Sequence, residues 1–312
     1  MDSFYSKIKL CSIDFLDIGC SGNLDNKWFP ILSFINYTGF DPNQEECERL
    51  INLSNKYKTA KYLPYAIAGE EGEKKIYKTK SIYCSSLLRP NHKWLSRFIY
   101  YDLFTEIGRD SVSCVTLDYL VCKKNIKADI IKLDTQGLEL PILKMGSKIL
   151  KNVICVETET GFLENYVGET TYSQIDEFMR ENGFLMFDMK IRKVGRRNFL
   201  SECGEHQPMW CEAIWLYDFI GQKRKCSEKQ AIKSLAICRA LRLYDYGFEL
   251  ASYFRDAGIL DTIIFEYLNN QKTWEPSLWQ RFFQNYFPQK ARNKWKNKIK
   301  NKLKRIFGFK IL

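Results

Sequence analysis

The sequence predicts an α/β protein: a sheet of about seven strands flanked by helices, with a C-terminal helical appendage after residue 220. Three observations point there. Phe15-Leu-Asp-Ile-Gly-Cys-Ser-Gly22 is an apolar run that breaks into a glycine turn, the form of a buried strand feeding an open crevice. Strand-like runs then alternate with helix-like segments through about residue 160, which favours βαβ units and a parallel sheet. Three of the runs end in carboxylates, at Asp17, Asp41 and Asp134, so acids gather along one edge of that sheet.

The first strand covers Ile13 to Ile18. Residues 26–36 and 43–57 read as helices on either side of a second strand at Tyr37 to Asp41, and Ala60 to Ala68 reads as the third strand. Glu73 to Thr79, Ile82 to Leu88 and Ser111 to Leu117 look like further strand segments. Between them, residues 89–109 form a polar, aromatic loop of the length that binding segments often have, with Ser85, Ser86 and Asn91 as candidates to face the crevice. Ala128 to Asp134 is a strand whose continuation, Thr135-Gln-Gly-Leu-Glu139, opens a helix running to about Met145. Asn152 to Thr158 is the next buried strand, and Glu157 and Glu159 lie at its end.

Tyr172 to Asn182 carries Ile175, Phe178 and Met179 on one helical face and is closed by Gly183. Phe184 to Ile191 and Trp210 to Ile220 flank a basic loop, so they are expected to pair antiparallel. From Ser227 to Asn270 the apolar spacing is helical. The predicted division is residues 1–220 as the catalytic sheet, 221–289 as the helical appendage and 290–312 as a basic tail.

A chain of 312 residues that is 45% hydrophobic and 15% aromatic can bury a full core. Its eleven cysteines are scattered without paired short spacings, which argues for reduced core residues rather than zinc ligands or a disulfide framework. The N-terminus lacks a charged-then-apolar signal pattern, and no apolar run is long enough to span a bilayer. A cytoplasmic location is therefore expected. The net charge of +11 is concentrated at the end: ten Lys or Arg and no acid fall in residues 290–312, leaving 38 basic against 37 acidic residues before it.

Within the strand-end acids, Asp17 suits an ammonium group, and Asp41, 24 residues later, suits both hydroxyls of a ribose. Gly19, Cys20, Ser21 and Gly22 would form the turn around a ligand, Gly19 giving it space, with Pro42 beside Asp41. The dinucleotide pattern of three glycines is absent, which favours an adenosyl ligand without phosphates. Tyr65-Ala-Ile-Ala68 offers a flat apolar slot at Ala66 and Ile67 for an adenine. Asp134 is the first candidate for a base, with Glu157 as a supporting acid and His206 as a loop residue able to overhang the site. Each carboxylate alone is equally well an ordinary solvated strand end, and Asp-x-Gly an ordinary turn; it is their convergence that points to a site.

The segments Asp17-Ile-Gly-Cys-Ser-Gly22, Gly39-Phe-Asp41-Pro, Tyr65-Ala-Ile-Ala, Cys84-Ser-Ser-Leu, Thr116-Leu-Asp118, Ile131-Lys-Leu-Asp134-Thr-Gln-Gly137-Leu-Glu139 and Val156-Glu157 resemble those of FkbM-family methyltransferases. The run Lys-Leu-Asp-Thr-Gln-Gly-x-Glu is the specific part, and the similarity covers roughly residues 10 to 220. Cys20 and Ser21 occupy a turn that is often longer and richer in glycine in the family, and the basic helical region after 220 is not part of its pattern. The resemblance implies a class I, Rossmann-like fold, S-adenosyl-L-methionine as cofactor, and O-methylation of a hydroxyl on a sugar or natural product. A divalent ion held by Asp134, Glu157 and His206 is conceivable from related sugar methyltransferases, but no metal ligand is assigned.

In the tail, Trp295, Ile299, Leu303, Ile306 and Phe307 fall on one helical face among cations. That pattern suits an anionic membrane surface, at about 1 kcal/mol per basic residue, and makes a lipid-linked glycan acceptor natural, as in surface polysaccharide assembly. A packed terminal helix is the plainer reading. Nucleic acid is not expected as a partner, since no stacking platform or RNA-binding module is visible. The competing functions are a non-catalytic membrane-surface binding protein on a degenerate methyltransferase fold and, more weakly, a nicotinamide dehydrogenase.

Overall fold

A computed structural model describes residues 7–261 apart from 9, 23, 55, 199–204 and 223; the described residues fall in one compact unit, Met1–Phe265. The basic tail at 290–312 and Cys203 lie outside the described residues.

β1 (Ile13–Ile18) is buried along nearly all its length. It leads to a 3₁₀ helix, Asn26–Phe34, where the sequence suggested an ordinary helix. Pro30 lies inside this segment, and a proline there removes a backbone donor and crowds the preceding turn. β2 (Ile35–Phe40) follows directly, then α1 (Gln44–Ile51), whose N-terminus is capped by the Asn43 side chain accepting from Glu45 and Glu46. The predicted third strand is two pieces. β3 (Thr59–Leu63) pairs with β2, whereas β4 (Ala66–Ile67), beyond Pro64, pairs parallel with a strand of another sheet.

That second sheet is built from β4, β5 (Gly72–Thr79) and β6 (Glu106–Val115), in the order β4-β6-β5. Between β5 and β6 lie a 3₁₀ turn at Ile82–Cys84, the short α2 (His92–Leu95) and a second 3₁₀ turn at Tyr101–Phe104. Ile82 to Leu88 is thus not the strand its sequence suggested. α3 (Leu117–Lys124) returns the chain to the main sheet at β7 (Ile130–Leu133), and α4 (Glu139–Lys144) and α5 (Ser147–Leu150) lead to β8 (Cys155–Gly161). α6 (Tyr172–Glu181) carries Ile175 and Met179 into the core as predicted.

β9 (Phe184–Val194) and β10 (Gln207–Tyr217) pair antiparallel, with β10 inserted between β8 and β9. The seven-stranded order is β3-β2-β1-β7-β8-β10-β9, with β3, β2, β1, β7 and β8 mutually parallel. Strand order reverses between β1 and β7, so the crevice beyond their carboxyl ends is where such sheets bind ligands. The core beneath it contains Phe15, Phe40, Phe184 and Trp215, all essentially inaccessible.

α7 (Glu228–Leu241) and α8 (Tyr244–Asp256) form the helical appendage. α7 packs on the 3₁₀ helix at 26–34, and its Lys233 pairs at 2.6 Å with Asp129 just before β7. The described part of the appendage thus meets the sheet at the amino end of β7, away from the crevice; residues 262–289 lie outside the described residues. The ten described cysteines are free thiols, six of them buried. Among the described residues, no helix is long and apolar enough to cross a membrane.

Candidate active site

A cavity of about 810 Å³ opens beyond the carboxyl ends of β1, β2, β7 and β8, within the range of small-molecule sites. Its floor is set by strand register. Asp17, Lys132 and Glu157 stand level with one another on adjacent strands. Side chains two residues apart share a face of a sheet, so the next row outward is Gly19, Asp134 and Glu159. The inner row is covered and the outer row meets the cavity.

The inner row is fully engaged. Asp17, 3% exposed, accepts from the Tyr37 hydroxyl at 2.8 Å and from Lys132 Nζ at 3.0 Å. Burial alone pulls the Lys132 ammonium down, but Asp17, with Asp134 and Glu157 behind it, holds it above its ordinary range. Glu157 accepts from Trp28 Nε1 at 2.8 Å and pairs with Lys27 at 2.7 Å, both carried by the 3₁₀ helix that roofs this row. Neither Asp17 nor Glu157 lines the cavity, contrary to the roles the sequence suggested for them.

The glycine turn has a similar explanation. Gly19 has φ +79°, and a Cβ there would lie 2.1 Å from the backbone oxygen of Asp134. Its missing side chain therefore admits the end of β7, and Gly19 itself lines the cavity. The Cys20 thiol packs over Gly39 of β2 and is buried. Gly22, at φ +97°, faces open space but is not among the cavity-lining residues. Ser21 does line the cavity, and its hydroxyl donates to Asp41 Oδ2 at 2.8 Å, while the Asn43 N–H donates to Oδ1 at 2.8 Å. Asp41 is thus fixed with lone pairs to spare, and Pro42, Ala66 and Ile67 line the cavity next to it. Ser85 and Ser86 line it too, whereas Asn91 instead caps α2.

The loop after β7 lines the cavity as well. Glu139, wholly buried, accepts from Thr135 N and Oγ1 and from Gly137 N, which folds Thr135 to Gly137 back over the helix start. Gln136 sits in the left-handed region at φ +58°, a strain that marks a constrained site. Its Oε1 lies 2.8 Å from the Tyr166 hydroxyl, which leaves Nε2 to donate to Asp134 Oδ1 at 2.8 Å, with Glu159 Oε1 at 3.5 Å. One amide thus stands between two carboxylates that line the cavity.

Glu159, not Glu157, is the acid of β8 that lines the cavity. Both acids are visible at this strand end in the sequence; the strand alternation that sets Glu157 level with Lys132 is the signal that turns Glu159 outward. His206 is exposed beside Gly195 and does not line the cavity. Asp134, Glu157 and His206 therefore do not converge on an ion, and no group of three or more metal-ligating side chains occurs among the described residues.

The Methyltransferase FkbM domain matches residues 28–186, a span that includes β2, Asp41, the 134–139 loop and Glu159. The chain belongs to the FkbM methyltransferase family. Its cofactor is accordingly S-adenosylmethionine. No curated protein matches the sequence. Among solved structures, the chain is similar to magnesium protoporphyrin IX methyltransferase from Synechocystis PCC 6803 with bound SAM, at 11% identity, covering 69% of this chain and 74% of that one with a TM-score of 0.35. It is also similar to TYW2 of M. jannaschii in complex with AdoMet, at 9% identity, covering 69% and 74% with a TM-score of 0.29.

Burial raises the proton affinity of four carboxylates of the FkbM site: Asp41 above its ordinary value, Glu139 and Glu169 to about 7, and Glu159, with Asp134 beside it, to about 8. From about pH 4.5 to 8 the native state keeps protons that the unfolded chain has released, so stability is full below that window and declines as pH rises through it. The expected result is a Tm that falls by on the order of 5–10 °C between about pH 5 and 8.5. In Glu159→Gln the fall is shallower, and scanning calorimetry across that range checks both; a flat Tm contradicts the assignment.

Proposed function

We propose that this methyltransferase transfers a methyl group to a hydroxyl of a sugar or glycan, lipid-linked and used in surface polysaccharide assembly. The observation that carries the reading is the pair Asp134 and Glu159, bridged by Gln136, in the same cavity that Asp41 lines. Asp41, held by Ser21 and Asn43, accepts the ribose hydroxyls, and Ala66 and Ile67 flank the adenine. Bound S-adenosylmethionine supplies an electrophilic methyl group.

Asp134 takes the proton of the acceptor hydroxyl as the new bond forms, since an alkyl hydroxyl is a weak nucleophile at neutral pH. Gln136 fixes the Asp134 carboxylate, and Glu159, protonated near neutrality, spares Asp134 a second negative neighbour. The cavity holds the acceptor oxygen in line with the methyl group, which is the larger part of the task. Tyr100 and Trp210, with ring centroids 6.5 Å apart, both line the cavity, and aromatic faces of this kind suit the C–H faces of a sugar ring.

The basic tail, outside the described residues, is proposed to hold the protein at an anionic membrane surface on the cytoplasmic side, where a lipid-linked acceptor is presented. The test is mass spectrometry of candidate glycans incubated with purified protein and S-adenosylmethionine. A gain of one methyl on a sugar hydroxyl is expected; methylation confined to nitrogen or to nucleic acid contradicts the reading.

A further inference from the structure

Large apolar side chains are unusually exposed at the cavity mouth. Ile82 is 66% exposed, Tyr83 64%, Ile107 67% and Leu103 41%, and all four line the cavity. They come from two segments tied together by their backbones: Lys80 N donates to Thr105 O, Ser81 N to Leu103 O, and Thr79 stands opposite Glu106 in the β5–β6 ladder. The four side chains thus form one continuous lip on the second sheet, whereas isolated exposed apolar residues carry no such meaning.

The lip is set in positive charge. Between residues 75 and 110, seven Lys or Arg are exposed against two exposed Asp. Lys78 lines the cavity and is paired with Asp110, Arg109 is paired with Glu106 and lies over the Tyr77 ring, and Lys75, Lys80, Arg89, Lys93 and Arg97 supply the excess of charge. Exposed apolar side chains on a segment with an excess of exposed cations match the interfacial zone of a bilayer that contains anionic lipid.

We propose that this lip docks on an anionic lipid surface, Ile82, Tyr83, Leu103 and Ile107 entering the interfacial zone so that the cavity opens towards the membrane. The inference rests on the reading of the cavity as the methyl-transfer site and adds where its acceptor comes from. It is independent of the basic tail, because it concerns a different surface with its own apolar contacts.

The test uses the full chain and the triple variant Ile82→Ser/Tyr83→Ser/Ile107→Ser, all at positions exposed enough to tolerate the change. Partition onto phosphatidylcholine vesicles with about one quarter phosphatidylglycerol is measured by flotation in about 0.5 M salt, which screens the tail. The triple variant is expected to partition about tenfold less than the parent, with its melting temperature unchanged. Ile107→Trp is expected to partition more strongly than the parent. Equal partition of all three proteins overturns the proposal, as does a triple variant that floats normally but turns over slowly, since the lip then serves the acceptor alone. Absence of S-adenosylhomocysteine binding in the parent overturns the methyl-transfer reading instead and leaves the flotation result to be judged on its own.

Discussion

Asp134→Asn is expected to lower turnover by about 10²–10⁴-fold while leaving affinity for S-adenosylhomocysteine within about twofold of the parent. The substitution is nearly isosteric, and the Asn carbonyl still accepts from Gln136 Nε2, now 2.8 Å from Asp134 Oδ1. Loop geometry is therefore kept and only the proton acceptor is lost. Single-turnover rates with saturating S-adenosylmethionine separate this from a structural effect: the transfer step slows in the variant while its melting temperature stays with the parent. Loss of binding equal to the loss of turnover contradicts the role.

Asp41→Asn is expected to do the opposite, weakening S-adenosylhomocysteine on the order of 10²-fold in calorimetry. A carboxylate fixed by Ser21 and Asn43 accepts two hydroxyls as a charged partner, and charge-assisted hydrogen bonds contribute roughly 1.5–3 kcal/mol each. An amide can accept at one atom only. Because Asn keeps the volume and can still accept from the Asn43 N–H, the fold is preserved, and thermal melting of the free variant verifies it. Unchanged affinity contradicts the placement of the ribose at Asp41.

Much of this site was legible in the sequence because it depends on local signals. The glycine turn, the strand ending at Phe40 before Asp41, and the run Lys132 to Glu139 each announce a strand end, and the cavity brings Ser21, Asp41, Pro42, Ala66, Ile67 and Asp134 to its wall. Helix α6 and the β9–β10 pair were legible for the same reason, since their apolar spacing fits a single period.

What escaped the sequence depends on partners distant along the chain. Asp17 reads as an open strand end until Lys132 and Tyr37 are placed against it, and Glu157 until Lys27 and Trp28 cover it. β4 has only two residues and pairs with Cys114 and Val115, so no local pattern separates it from β3, although Pro64 marked the break. Gly19 reads as space for a ligand and does line the cavity, but the close approach of the Asp134 backbone that also requires a glycine there comes from a strand far along the chain.

The central claim is that Asp41 and the Asp134–Glu159 pair line one cofactor cavity. The direct measurement is a crystal structure of the chain with S-adenosylhomocysteine. The account predicts ribose hydroxyls within hydrogen-bond reach of Asp41, adenine against Ala66 and Ile67, and the sulfur directed towards Asp134 and Glu159. Adenosine bound elsewhere, or a sulfur facing away from both carboxylates, contradicts it.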